Sequence, residues 1–194
     1  MQHATNSKAS KQPQVDCATG LISGARQLTS PHCDARPPGI PIDLLVIHGI
    51  SLPPGEFGGE WIEHLFLGSL PRDAHPYFAT IQNLRVSAHL LIHREGELLQ
   101  FVPFLRRAWH AGTSSHQGHE SCNDFSIGIE LEGCDEVPYT AAQYARLVVV
   151  TRAIMAAYPD ITAARIVGHS DIAPGRKTDP GPAFDWAQFR AQLA

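Results

Sequence analysis

The chain has 194 residues, 43% hydrophobic and 18% charged, a length and balance that fit one globular domain and exclude a disordered or fibrous chain. Fifteen Lys and Arg against nineteen Asp and Glu leave a net charge of −4 with no basic run, and without clustered cations nucleic acid is excluded as a partner. No apolar stretch reaches the ~18–20 residues of a membrane span, and residues 1–11 lack the apolar block of a secretory signal, so the sequence reads as cytoplasmic with no membrane insertion.

Residues 1–16 carry almost nothing apolar and read as a flexible N-terminal tail, with the domain spanning 17–194. Turn formers over residues 30–39 lead into Leu44-Leu45-Val46-Ile47-His48, a short apolar run that predicts a buried strand. Residues 61–67 suit a short helix. Residues 86–93 and 97–102, joined by Arg94-Glu95-Gly96, predict a β-hairpin whose glycine supplies a positive φ. Over residues 126–132, Ile127, Ile129 and Leu131 alternate with Ser126, Gly128, Glu130 and Glu132, which predicts a strand with one polar face. The spacing of Tyr144, Leu147, Val148, Thr151, Ile154 and Met155 predicts a helix over 140–158, capped by Thr140 and stopped by Pro159. A short strand over 165–169 and a helix over 184–193 close the chain. Interspersed strands and helices without internal repeats predict an α/β (α+β) fold, a single domain with a central mixed sheet flanked by helices.

Cys17, Cys33, Cys122 and Cys134 form no CxxC pair and read as free thiols. The eleven histidines are the unusual count. Two of them, His48 and His169, close apolar strands, where rigid backbone presents the imidazole. Asp179 follows His169 by ten residues and precedes Pro180; a residue before proline is extended, so Lys177 and Asp179 point the same way at period two. Two imidazoles and a carboxylate are the three-ligand set that leaves zinc a fourth tetrahedral position for water. Taken singly, each residue has a plainer reading: a lone His is more often a hydrogen-bonded core residue, and Asp before Pro a turn former. The trio also suits a non-haem iron oxygenase, whose usual close His-x-Asp/Glu pair is absent.

Several long strings then carry a resemblance. They are Val46-Ile47-His48-Gly49-Ile50-Ser51-Leu52-Pro53-Pro54-Gly55-Glu56-Phe57-Gly58-Gly59, Ala74-His75-Pro76-Tyr77-Phe78, Arg85-Val86-Ser87-Ala88-His89, Arg107-Ala108-Trp109-His110-Ala111-Gly112, Cys122-Asn123-Asp124-Phe125-Ser126-Ile127-Gly128-Ile129-Glu130-Leu131-Glu132-Gly133, Gly168-His169-Ser170-Asp171-Ile172-Ala173-Pro174 and Arg176-Lys177-Thr178-Asp179-Pro180-Gly181-Pro182. In order, over roughly residues 20–192, the chain resembles the zinc N-acetylmuramoyl-L-alanine amidase family, which also contains phage lysozyme-type amidases and peptidoglycan recognition proteins. Within it, the likeness is to the branch acting on anhydro-muropeptides.

The resemblance implies the amidase and peptidoglycan-recognition-protein fold, a Zn2+ ion held by His48, His169 and Asp179, and Glu130 and Lys177 as the catalytic pair. It further implies hydrolysis of the amide between 1,6-anhydro-N-acetylmuramic acid and the stem-peptide L-alanine, a cytoplasmic cell-wall recycling step that also lowers β-lactamase induction. No obligate protein partner is implied. In that scheme Glu130 takes the water proton and passes it to the departing amine, while the Lys177 cation stabilises the oxyanion. Glu132 shares the predicted face of Glu130, and only the resemblance chooses between them. Tyr77 matches a tyrosine near the metal, Trp109 and His110 match the wall for the anhydro-sugar, and Arg85 could pair with a peptide carboxylate as a fork. His89, on a face with Arg85 and His93, reads as structural. Gly49 stands where the family often has Asn, and Ser121 where it often has Arg, both at positions of substrate contact. Two alternatives within the fold are an amidase acting on polymeric peptidoglycan, which would normally carry an export signal, and a non-catalytic muropeptide-binding module, against which the intact trio speaks.

Overall fold

A six-stranded mixed sheet organises the computed structural model, which describes residues 12–193. In chain order its strands are β1 (Arg26–Gln27), β2 (Leu44–Ile50), β3 (Leu90–Ile92), β4 (Leu98–Gln100), β5 (Ser126–Glu132) and β6 (Ile166–Gly168). Across the sheet they lie in the order β6-β2-β5-β3-β4-β1. The first four in that order run parallel, while β4 folds back antiparallel on β3 and β1 runs parallel to β4. The β3–β4 hairpin is the one expected from Arg94-Glu95-Gly96, and Gly96 has φ +81°. Its paired core is shorter than the sequence pattern.

Period-two alternation divides the two central strands into two faces. Leu45 and Ile47 of β2 and Ile127, Ile129 and Leu131 of β5 pack under α3 (Ala141–Ala157) and α5 (Trp186–Leu193), against Leu147, Val150, Ile154 and Phe189. Burying each Leu or Ile contributes ~1.5–3 kcal/mol, so this layer anchors the sheet from behind. The opposite face carries His48 on β2 and Ser126, Gly128 and Glu130 on β5. Beside it, α1 (Trp61–Phe66) and α2 (Pro76–Ile81) pack Ile62, Leu65, Phe66 and Phe78 over Leu91, Leu99 and Phe101.

The helix α3 begins where its cap is written in the sequence. Thr140 Oγ1 accepts from the Gln143 backbone N–H at 3.1 Å, and Gln143 Oε1 accepts from the Thr140 N–H at 3.0 Å, a reciprocal capping box. Gln143 also donates to the carbonyls of Ile92 and Glu132, tying the helix start to β3 and β5.

Three expectations shift. Val15–Asp16 pair with Leu21–Ile22, so regular structure starts ahead of Cys17 and the boundary at residue 16 is too late; residues 1–11 lie outside the described residues. His169 opens the short helix α4 (His169–Ile172) instead of closing β6, because the Asp171 carboxylate accepts the Gly168 N–H and turns the chain. Residues 84–88 lie outside any strand, so Arg85 does not share a strand face with His89. The four cysteines are free, and no helix among the described residues is long and apolar enough to cross a membrane.

Candidate active site

Sheet register brings the first pair of functional groups together. Glu130 lies opposite His48 across the parallel β5–β2 ladder, at the C-terminal ends of both strands. On the next strand over, β6 ends one residue before His169. Ligands of open sheets collect at carboxyl ends of strands, and Asp179 reaches this edge from the following loop, where the Ser170 N–H donates to its carbonyl at 2.9 Å.

Three ligand atoms converge there. His48 Nδ1 is 2.9 Å from His169 Nδ1, His169 Nδ1 is 3.1 Å from Asp179 Oδ2, and His48 Nδ1 is 3.2 Å from the same oxygen. Tetrahedral zinc ligands with bonds of ~2.0–2.1 Å stand about 3.3–3.4 Å apart. The observed triangle is slightly tighter than that, and an ion would need only small outward movements. Among the described residues this is the group of His, Cys, Asp and Glu side chains placed to hold a metal.

The outer atoms fit as well. Metal-bound histidines hand their second N–H to a fixed acceptor, and His169 Nε2 lies 3.2 Å from the Ala111 carbonyl. A carbonyl only accepts, so His169 carries its proton on Nε2 and turns a bare Nδ1 toward Asp179. Burial pushes His48 down to about 4, with Asp179 opposing, so at neutral pH it is a neutral imidazole able to ligate. Asp179 Oδ2 lies against the Nδ1 atoms of His169 and His48, at 3.1 and 3.2 Å, so the three atoms together offer a cation two imidazoles and a carboxylate.

Glu130 is the contrasting carboxylate. Its side chain is 8% exposed and its Oε2 has no hydrogen-bond partner. Burial pushes its pKa well above the ordinary value; the Asp179 charge adds to this and Lys177 opposes it. One carboxylate set against two imidazoles and another buried without a partner suit one ligand and one proton carrier. Glu132, on the same face two residues on, is fully engaged elsewhere: it accepts from the backbone N–H groups of Gly58 and Arg94 and pairs with His93 at 3.1 Å. Geometry therefore separates the two glutamates that periodicity leaves equivalent.

A cleft of about 230 Å3 runs over these groups, lined by His110, Glu130, His169 and Asp179 on its floor and by Tyr77, Trp109 and Lys177 along its rim. Tyr77, 37% exposed, stands at the start of α2, whose first turn is capped by His75 Nδ1. Trp109 stacks on His32 with ring centroids 6.1 Å apart and planes 18° apart. The loop carrying it is pinned by Asn123, whose Oδ1 accepts from the N–H groups of His110 and Ala111.

Arg85 and His110 stand differently toward this cleft. Arg85 is exposed and lies off the lining of this cleft, because the chain leaves α2 through a turn that carries the side chain outward. His110 lines the cleft but is 8% exposed, its ring wedged between His48 Nε2 at 2.9 Å and Ser126 Oγ at 3.1 Å. The ring thus backs His48 as well as lining the cleft. Ser126, Asn123 and the Ala111 carbonyl were not singled out from the sequence; Gly128 inside an apolar strand was the available signal of a close approach. His89 is structural as expected, accepting from the Gly128 N–H at 3.0 Å.

A family model described as N-acetylmuramoyl-L-alanine amidase matches residues 38–182. The chain belongs to the N-acetylmuramoyl-L-alanine amidase family. A relative from Escherichia coli (strain K12), the 1,6-anhydro-N-acetylmuramyl-L-alanine amidase AmpD, is 63% identical over 175 residues, covering 90% of this chain and 95% of the relative. The AmpD of Haemophilus influenzae (strain ATCC 51907 / DSM 11121 / KW20 / Rd) is 56% identical over 178 residues, covering 92% and 97%. Among solved structures, that of a selenomethionine AmpD derivative superposes with a TM-score of 0.89 at 59% identity, covering 93% of this chain and 99% of that one. A complex of the Escherichia coli amidase AmiD with anhydro-N-acetylmuramic acid-L-Ala-D-gamma-Glu-L-Lys matches with a TM-score of 0.59 at 32% identity, over 80% of this chain and 59% of that one. In the amidase family the fold is the one expected from the interspersed elements, a mixed sheet flanked by helices.

Gly49 has no room for a side chain in this geometry. A Cβ there would meet the Tyr139 hydroxyl, which donates to the Pro180 carbonyl at 2.9 Å.

Proposed function

We propose that this chain is a cytoplasmic zinc amidase that hydrolyses the amide between 1,6-anhydro-N-acetylmuramic acid and the L-alanine of a stem peptide. The observation that carries the reading is the convergence of His48 Nδ1, His169 Nδ1 and Asp179 Oδ2 beside an orphaned, buried Glu130 oxygen. The substrate class follows from the high identity to enzymes named for that bond.

A zinc ion on this trio would supply Lewis acidity, lowering the pKa of water from 15.7 toward ~7 and polarising the amide carbonyl. The remaining work falls to the chain. Glu130 accepts the proton of the attacking water at Oε2 and delivers it to the alanine nitrogen as the C–N bond breaks. Its raised pKa suits both halves of that transfer. Lys177, on the rim, places its ammonium beside the oxygen that gains negative charge. Tyr77 offers a hydroxyl to the substrate carbonyl, and Trp109, held flat by His32, offers an apolar face to the anhydro-sugar.

The test is an amidase assay on anhydro-muropeptide with the purified chain, before and after chelation and zinc return. Release of the stem peptide, abolished by chelation and restored by zinc, supports the reading. Turnover that survives complete metal removal overturns it.

A further inference from the structure

Behind the metal trio, a line of hydrogen bonds runs inward to a backbone carbonyl, and its direction is fixed at the far end. Ser126 Oγ lies against the Cys122 carbonyl oxygen, which can only accept, so the hydroxyl proton is committed there. His110 Nε2, 3.1 Å from the same Oγ, must then be the donor. Its Nδ1 is left bare and faces His48 Nε2 at 2.9 Å, so His48 carries its proton on Nε2. The nitrogen that remains is His48 Nδ1, the atom that meets His169 and Asp179.

The opposite polarity is excluded by the same groups. A proton on His110 Nδ1 would push the His48 proton onto Nδ1, into the trio, and would leave Ser126 Oγ and the Cys122 oxygen facing each other without a hydrogen. The imidazole that carries this relay has no freedom to turn. His110 is 8% exposed, and a Cβ at Gly128 would meet three atoms of its ring at 2.5–2.8 Å. Gly128, in the middle of β5, leaves the space that the ring fills.

We propose that His110 and Ser126 are positioning residues that lock His48 in the tautomer presenting Nδ1 to the metal, using the Cys122 carbonyl as the fixed end. This rests on the metal reading of the trio. With His48 and His169 both bare at Nδ1 and Asp179 charged, three electron-rich atoms share one small triangle, and a cation is the partner that relieves their repulsion. Without the lock, His48 would spend part of its time with a proton where the ion belongs.

The experiment combines imidazole 15N–1H correlation spectra with zinc affinity measured by chelator competition, on the full chain and on Ser126→Ala. The expected wild-type spectrum has His48 and His110 protonated on Nε2 in the metal-free state. Ser126→Ala should shift both toward mixed tautomers and weaken zinc by about 10–100-fold, the usual effect of removing an outer-shell partner. A wild-type spectrum with His110 protonated on Nδ1 overturns the proposal, and needs no variant to fold. Zinc affinity in a folded Ser126→Ala within about twofold of wild type overturns it too. Failure of the wild-type chain to bind zinc overturns the metal reading itself, a result distinct from either.

Discussion

Replacing Glu130 by Gln should stabilise the metal-free protein while removing its activity. The carboxylate is buried, its Oε2 has no partner, and burial raises its pKa well above 4.5. An acid whose folded pKa is raised costs nothing below its unfolded value; the penalty appears as pH rises above 4.5 and grows toward the folded pKa. A buried polar group without a partner costs about 1–3 kcal/mol, more when charged. Gln keeps an unpaired amide but never carries the charge, so a gain of about 1–2 kcal/mol at pH 7 is expected. For a chain of this length that is roughly 2–8 °C in Tm. Differential scanning calorimetry of both proteins after chelation reads it, and the gap should close as the pH falls below 4.5. In the zinc-loaded protein, turnover should fall by about 10^2–10^4-fold. A Glu130→Gln protein that melts at or below wild type at pH 7, or turns over at near-normal rate, refutes the reasoning.

Lys177→Met should lower kcat by about 10^2–10^3-fold with zinc content unchanged, checked by steady-state kinetics beside metal analysis; loss of zinc would mean the lysine props the site instead. Thr140→Ala removes the capping box of α3 and the hydroxyl bond to the Arg94 carbonyl, and should cost about 1 kcal/mol in urea unfolding with kcat/KM unchanged. Glu132 sets an acid limit: burial opposes its charge, but hydrogen bonds from His93, Arg94 and Gly58 hold it at about 2, below its ordinary 4.5. A depressed carboxylate stabilises above the unfolded value and loses that as pH falls through the folded one, here on the order of 3 kcal/mol. Urea midpoints between pH 5 and pH 2 should show this loss in wild type and a flatter profile in Glu132→Gln.

What could be read from residues alone follows physical range. The strands of His48 and Glu130 and the helix α3 are local patterns, an apolar run, an alternation and a capped 3.6-residue stripe, and all three stand where their patterns put them. The apolar run before His169 predicts a strand end there, yet the Asp171 carboxylate on the Gly168 N–H starts a helix, a side-chain choice that periodicity does not encode. Nothing local to His110 in the sequence signals that its ring is buried. Its burial depends on the missing side chain at Gly128, eighteen positions away on another element. Glu130 and Glu132 share a face in the pattern, and only the neighbours that reach Glu132, Gly58, Arg94 and His93, tell them apart.

X-ray absorption at the zinc edge of the purified, zinc-loaded chain tests the metal centre most directly. Two imidazole nitrogens and one carboxylate oxygen at ~2.0–2.2 Å, with a further light atom completing four, is the shell expected of His48, His169 and Asp179. Any sulfur in the shell, or a spectrum left unchanged by His169→Ala, would contradict the account.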